Sequence, residues 1–313
     1  MSFQFKKTES PAKAIKRVCS EHIEQTLGWM QHPRRPAAIH SVRKEIKKTR
    51  AILRLIRTEV GVGAYRKVVK PLRQAAQHLA ASRDARVMLG AFKNLTKDSP
   101  SRFPKIHAAL QKHCRRETRR SRKAHSLASA RRLLRKSNQR IRRLQFSAEG
   151  WAAMAPGLHR SYGRGRNQFV IVFREPTAEN FHAWRKQVKT LAYLLRLLAP
   201  NWPARTRRFM KKLERLGDQL GDAHDLALLQ QFLTESGAAQ SKEVKRLNQV
   251  MAARQKRLHT SALKLGSELY RETPLAACRR MQDDWSLWRG DSAAAKISRQ
   301  KSVDEKAGRA PDP

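Results

Sequence analysis

The feature that most constrains this chain is an internal repeat. Residues 40–47 and residues 182–189 both read H-x-x-R-K-x-x-K and lie 142 positions apart. Similar offsets pair Leu53 with Leu195, Lys70 with Lys211, and Asp84 with Asp225. Self-similarity at a nearly fixed distance is the signature of a duplicated structural unit. Two copies of one unit therefore explain the 313 residues better than two unrelated domains do.

Hydrophobic periodicity indicates that the repeated unit is built from helices. Apolar residues recur at helical spacing in nearly every segment, as at Ile46, Leu53 and Ile56. Glycine and proline mark breaks near residues 33–36, 61–63, 99–104, 200–203 and 236–238. The strand-like exception is Val-Ile-Val within residues 169–173, which we interpret as the end of a helix. The sequence therefore predicts an all-α fold.

The chain divides into one long folded region and two polar ends. We expect residues 1–8 and 289–313 to be disordered, because they are polar and aperiodic. Residues 9–288 then form the folded domain, with the two repeats at about residues 9–147 and 156–288. Its most basic stretch, residues 111–145, holds 14 Lys or Arg and one acid, Glu117. This stretch fits either one long amphipathic helix or two helices joined near Ser126.

The charge balance limits the possible functions. The sequence has 68 Lys and Arg against 25 Asp and Glu, which gives a net charge of +43. Because this charge repels itself in the compact state, its plausible use is to bind a polyanion. Nucleic acid, an anionic membrane surface and a phosphate polymer all qualify. We expect a cytoplasmic protein, because no apolar stretch predicts a membrane span or a secretory signal. Three scattered cysteines, Cys19, Cys114 and Cys278, favour neither a disulfide framework nor a zinc site.

One helix face in each repeat concentrates cationic side chains. Positions three, four and seven residues apart share a stripe of an α-helix. In the first repeat the stripe holds His40, Arg43, Lys44, Lys47 and Arg54, with Arg50 at its margin; in the second it holds His182, Arg185, Lys186, Lys189 and Arg196. Such like charges destabilise an isolated helix by a few tenths of a kcal/mol per pair. A single basic stripe is usually a solvated face, but its repetition favours a site for an external anion.

Several segments resemble the conserved histidine α-helical domain family, known as CHAD. They are residues 39–57, 78–89, 157–169, 181–200 and 213–229. The likeness covers roughly residues 8–288, and the repeated H-x-x-R-K-x-x-K motif is its most specific part. It implies two antiparallel four-helix units related by pseudo-twofold symmetry around a basic central cavity. It also implies binding of inorganic polyphosphate and residence on polyphosphate granules.

The resemblance extends the set of binding candidates and reveals two departures from the family pattern. The candidates are both stripes together with Arg83 and Arg160. Ala192 stands where the first repeat has Arg50, so the second repeat has one cation fewer at that turn. His224 stands where the first repeat has Arg83, which puts the twofold equivalence of that position in doubt. The alternating Glu-x-Glu-x-Lys signature of the triphosphate-cleaving domain found in many family members is absent from this sequence.

The implied ligand suits the side chains of the stripes. Polyphosphate is a flexible chain of anions without base edges, so recognition depends on many cations along a groove. Arginine offers forked hydrogen bonds to phosphate oxygens and lysine a mobile point charge. Among several cations a histidine is pushed towards neutrality, whereas a bound polyanion favours its charged form. We therefore expect tighter binding as the pH falls through the histidine range.

Two other functional classes remain as alternatives. Non-specific nucleic-acid binding fits the arginine-rich residues 111–145, although aromatic residues make up only 6% of the chain and no recognition motif is present. An enzyme acting on phosphoanhydrides would need acids for Mg²⁺ or a phosphate-cradling loop, and neither pattern occurs. We therefore predict no catalytic residue, no metal site and no cofactor. Asp84 and Asp225 could pair with arginine or a metal, but we favour a structural role at a helix N-terminus.

Overall fold

The computed structural model describes residues 4–31, 38–78, 80–97, 102–121, 124–198, 202–235 and 241–290. Within these ranges the chain forms eleven α-helices, a short 3₁₀ helix at Gly150–Ala153 and no strand, so the predicted all-α fold is confirmed. The helices are α1 (Pro11–Trp29), α2 (Ala38–Leu55), α3 (Val62–Gln77), α4 (Ala80–Leu95), α5 (Pro104–Ser121), α6 (Ala124–Arg142), α7 (Ala155–Arg174), α8 (Ala178–Leu198), α9 (Ala204–Glu235), α10 (Lys242–Leu269) and α11 (Pro274–Arg289). Residues 169–173 belong to α7, as interpreted from the sequence. The basic stretch 111–145 contributes to two helices, α5 and α6.

The larger hydrophobic core joins helices from both repeats. Helix α2 packs against α1 and α3, and α6 closes this group against α1 and α3. In the second repeat α8 packs between α7 and α9, while α11 covers α7. The apolar residues that predicted α2 include Ile46, Leu53 and Ile56, and each has less than 2% of its surface exposed to solvent. Helical periodicity therefore identified the buried side of α2 correctly.

A second, smaller core brings the end of the first repeat onto the second. Helices α4 and α5 pack against each other, and α4 also packs against α9. Phe92 and Phe103 meet edge to face, with ring centroids 6.4 Å apart, beside the buried Leu229 of α9 and Leu247 of α10. The distal parts of α9 and α10 are thus held by helices from the other repeat.

Helices α2 and α8, which carry the repeated motif, pack directly against each other. The Arg54 guanidinium of α2 donates a hydrogen bond to the Thr190 hydroxyl of α8 at 3.2 Å. Gly157 lets α7 approach the end of α2, because a Cβ at this position would overlap the Leu55 carbonyl group. The fold therefore brings the two basic stripes to one place.

Two expectations from the sequence are wrong. The segment expected to be disordered is packed at Phe5, because its side chain is buried and its backbone N–H donates to the Leu197 carbonyl at 3.0 Å, whereas Lys6, Lys7 and Thr8 are exposed. Asp225 does not begin a helix but lies inside α9. The apolar residues in the N-terminal part of α9 are buried in the larger core, and those in its C-terminal part are buried in the smaller core. Asp84 likewise lies past the first turn of α4. Residues 1–3 and the tail from residue 291 lie outside the described residues.

Bilayer-spanning segments are not part of the described fold. In the described ranges, no helix combines enough length with enough apolar character to cross a membrane.

Candidate anion-binding cleft

A cleft of about 680 Å³ lies where α2 and α8 meet. Eight of its lining side chains are Lys or Arg: Arg43, Lys44, Lys47, Arg50, Arg54, Arg185, Lys186 and Lys189. Among the described residues, its other ionisable lining side chains are His182, His224, Tyr193 and a single acid, Asp84. Nine of the thirteen candidate residues from the sequence are therefore gathered on one concave surface.

The α2 side of the cleft holds guanidinium groups close together. Arg43 is positioned by a 2.6 Å hydrogen bond from its Nη1 to the carbonyl of Ala76 near the end of α3. Burial lowers the pKa of Arg50, and the positive charges of Arg54 and Arg73 lower it further. The Arg50 Nε atom is buried and has no hydrogen-bond partner among the described residues. An anion in the cleft would relieve both the crowding of charge and this missing hydrogen bond.

The α8 side depends on a glycine of α9. Gly217 lies under Lys189, where a Cβ would approach the lysine side chain to 3.2 Å. At Gly221 a Cβ would lie 3.8 Å from the Arg185 guanidinium, an ordinary contact. Gly217 therefore makes room for the Lys189 side chain against the backbone of α9. Lys189 also forms an ion pair with Asp218, with 2.8 Å between Nζ and Oδ1.

His182 and His224 form a pair at the wall of the cleft. Their Nδ1 atoms are 3.1 Å apart, so one ring donates a hydrogen bond and the other accepts it. Burial, with the charges of Lys186, Arg185 and Lys47, lowers the pKa of His182 to about 4. The direction of this shift agrees with the expected push of a histidine towards neutrality among cations, but burial is its larger cause. His224 is a site member that the sequence showed only as a departure from Arg83.

Four of the thirteen candidates are not placed in the cleft. Arg160 lies in a separate pocket and donates to the Thr58 hydroxyl at 2.9 Å. Arg196 is not placed like Arg54, because it forms an ion pair with Glu214 of α9, with 2.6 Å between Nε and Oε1. Arg196 is not among the residues that line the cleft. The side chains of His40 and Arg83 lie outside the described residues.

Other chemistry at the cleft is limited by its composition. In the part of the chain that the structure describes, no three His, Cys, Asp or Glu side chains are grouped to hold a metal ion. Cys19, Cys114 and Cys278 are free thiols. The described lining of the cleft therefore presents mainly cations and hydrogen-bond donors.

Comparisons with known proteins identify the family. Residues 15–234, from α1 to the end of α9, match the family model described as CHAD domain. This chain belongs to the CHAD family. The CHAD fold is also similar to the crystal structure of the CHAD domain from the plant Ricinus communis, with a TM-score of 0.56 and 19% identity. That similarity covers 85% of this chain and 88% of that chain. No curated protein matches the chain.

Proposed function

We propose that this CHAD protein binds inorganic polyphosphate in the cleft between α2 and α8. The observation that carries the proposal is that, among the described residues, eight Lys and Arg side chains line one cleft beside a single acid. Holding so many like charges together opposes folding unless a polyanion compensates them. Membership of the CHAD family and the repeated H-x-x-R-K-x-x-K motif support the same ligand.

The cleft chemistry suits a polymer of phosphate groups. Arg43, Arg50 and Arg185 offer forked donors to successive phosphate oxygens, while the lysines add mobile charges. Among the described residues of the lining, none is arranged to read base edges, and Tyr193 supplies the only aromatic ring besides the histidines. Counterion release would supply much of the affinity, so binding should weaken steeply with salt.

The proposal includes an approximate twofold arrangement around the cleft. Helices α1, α2, α3 and α6 would form one four-helix unit, and α7, α8, α9 and α10 the other. The pairwise packing within each set and the contact between the equivalent helices α2 and α8 support this division. The cleft would then be the central basic cavity of a duplicated fold.

We propose binding without catalysis, in the cytoplasm and at polyphosphate granules. Phosphoryl transfer is usually assisted by carboxylates that hold Mg²⁺, and Asp84 is the single acid of the described cleft lining. The adjacent acids Asp283 and Asp284 do not form such a centre. Asp284 is buried and accepts hydrogen bonds from Thr206 and Arg205, whereas Asp283 is exposed. A protein that binds the polymer through its cleft would remain with polyphosphate granules.

Non-specific nucleic-acid binding is the second candidate, and it is favoured by a different surface. Helices α5 and α6 expose Arg115, Arg116, Arg119, Arg120, Arg132, Arg135 and Lys136. These side chains form a diffuse basic surface that any polyanion can contact. The two functions therefore differ in which cations they need.

The deciding experiment compares two charge-matched variants. Lys44→Glu/Lys186→Glu reverses two exposed cleft lysines, and Arg119→Glu/Arg135→Glu reverses two exposed arginines of α5 and α6. We expect the cleft variant to lose about tenfold or more in affinity for size-defined polyphosphate, and the other variant to lose about threefold or less. RNA binding should show the reverse order. Equal losses for polyphosphate in both variants would mean that net charge, not the cleft, binds the polymer.

A further inference from the structure

A second basic pocket lies beside the cleft, at the junction of α2, α3, α7 and α8. It is lined by four arginines, Arg54, Arg57, Arg160 and Arg164, together with Tyr65 and Thr190. Its volume is about 30 Å³, far smaller than that of the cleft. Arg54 lines both spaces, so the pocket adjoins the cleft at this side chain.

Contacts on neighbouring helices hold the arginines of the pocket. Arg160 donates to the Thr58 hydroxyl at 2.9 Å, and Arg54 donates to the Thr190 hydroxyl at 3.2 Å. The Arg57 guanidinium lies over the Tyr65 ring, 5.7 Å from its centroid. Each guanidinium carries five N–H donors, so these contacts leave donors for a ligand.

The pocket gathers positive charge without local compensation. No acid is present among the described residues that line it. Glu59, close to Arg57 in sequence, instead accepts hydrogen bonds from the backbone N–H groups of Ser147 and Ala148. Burial lowers the pKa of Arg160, and Arg164 and Arg57 lower it further. The guanidinium groups are thus close enough to repel one another.

The high positive charge of the pocket, rather than its volume, suits a single phosphate group. A terminal phosphate carries a charge of about −1.5 to −2 near neutral pH and three free oxygens, as a phosphate monoester does. An internal phosphate of the polymer has only one ionised oxygen and continues on both sides. A cluster of four arginines therefore favours the chain end over the chain middle.

We propose that this arginine pocket binds the terminal phosphate group of a polyphosphate whose following units lie in the cleft. This inference rests on the proposed function, because it needs the polymer in the cleft. Arg54, which lines both spaces, would contact the chain as it passes from the pocket into the cleft. The protein would then recognise the end of the chain as well as its internal phosphate groups.

Ring-shaped phosphates provide the test, because they have no ends. Linear hexaphosphate and cyclic hexametaphosphate contain the same number of phosphate groups, and only the linear form has terminal ones. We expect the wild-type protein to bind the linear form about tenfold more tightly. Arg57→Gln and Arg164→Gln should each reduce this preference to about threefold or less. The matched control Arg119→Gln, at an exposed position on α5, should weaken both ligands equally and leave the preference unchanged.

The outcomes separate this inference from the proposed function. Equal binding of the linear and cyclic forms, or an unchanged preference in both pocket variants, overturns chain-end recognition while long polyphosphate still binds. An equal loss of preference in Arg119→Gln also overturns it, since net charge would then explain the difference. Failure of the wild-type protein to bind long polyphosphate overturns the proposed function itself. Arg164 is exposed, so its substitution leaves the fold intact for these measurements.

Discussion

The imidazole rings of His182 on α8 and His224 on α9 meet at the wall of the basic cleft, with 3.1 Å between their Nδ1 atoms. Two charged rings at this distance would repel each other, so at least one ring is neutral. Burial and the neighbouring cations Lys186 and Arg185 lower the pKa of His182 to about 4. The contact between the rings is therefore sensitive to protonation.

The first prediction concerns the stability of the ligand-free protein. His182 has a pKa of about 4 in the folded state and an ordinary value of 6.5 in the unfolded state. Between these two pH values the unfolded state therefore binds more protons than the folded state. The contribution of neutral His182 to the stability of the fold is complete above pH 6.5 and is lost as the pH falls towards 4. The free energy of unfolding should therefore decrease on acidification by about 1 to 2 kcal/mol less in His182→Gln than in the wild-type protein. This difference is smaller than the full pKa shift implies, because the ring is only half-buried. Urea unfolding near neutral pH and at mildly acidic pH measures it.

The matched control for this experiment is His159→Gln, since His159 is exposed on α7. It should show the same loss of stability in acid as the wild-type protein. If His182→Gln also shows that loss unchanged, the His182–His224 contact does not respond to protonation.

The second prediction concerns affinity and pH. A bound polyanion stabilises the charged form of His182, so its pKa is higher in the complex than in the free protein. Binding then takes up a proton, and affinity rises as the pH falls from the pKa of the complex towards about 4. We expect a gain of about threefold to tenfold for the wild-type protein and less for His40→Ala/His182→Ala. Equal affinity at acidic and neutral pH in both proteins would remove the histidines from the binding mechanism.

The third prediction tests how α7 is held against α2. Gly157→Ala would place a methyl group on the Leu55 carbonyl, which cannot move without shifting the end of α2. We expect a loss of about 3 kcal/mol in the free energy of unfolding. Gly163→Ala, on the same helix, would place its methyl group 3.5 Å from the Pro274 ring, an ordinary contact. It should be neutral or stabilise by up to about 1 kcal/mol through helix propensity.

Thermal unfolding of both alanine variants checks this comparison. Similar stability for the two proteins would show that the end of α2 adapts easily and that the α2–α7 approach is not fixed by Gly157.

The sequence predicted the elements of the fold better than their assembly. Local periodicity identified the buried side of α2 through Ile46 and Leu53, because a helix places residues three and four apart on one face. The repeated motif did not show whether the two basic faces share one cavity, which only the family resemblance implied; in the structure, α2 and α8 line one cleft. The packing of α4 and α5 onto α9 was not predictable, because it joins residues distant in sequence with no local pattern.

The missed members of the site share a physical reason. His224 and Gly217 both lie on α9, and their roles exist only because α8 packs across that helix. A glycine within a helix normally signals a weak helix, whereas here it makes room for a long cationic side chain. Arg196 was expected beside Arg54 in the cleft, but its partner Glu214 also lies on α9. Contacts between helices, not the composition of either helix, decide these positions.

The fourth prediction concerns Asp218, whose carboxylate lies 2.8 Å from the Lys189 ammonium group. Asp218 therefore competes with any bound anion for the positive charge of Lys189. Asp218→Asn should free the lysine and raise the affinity for polyphosphate by about twofold to fivefold. The free energy of unfolding should change by no more than about 0.5 kcal/mol, because exposed ion pairs contribute little. Titration with size-defined polyphosphate, together with unfolding curves, measures both effects.

The control for Asp218→Asn is Asp283→Asn, which adds the same unit of net charge at an exposed site on α11. Because Asp283 is not in the cleft lining and has no ion pair with a cleft lysine, its substitution should leave affinity nearly unchanged at moderate salt. An equal gain in the two variants would show that the protein responds to total charge alone. A gain confined to Asp218→Asn would show that α9 limits how much of the α8 charge the polymer can use.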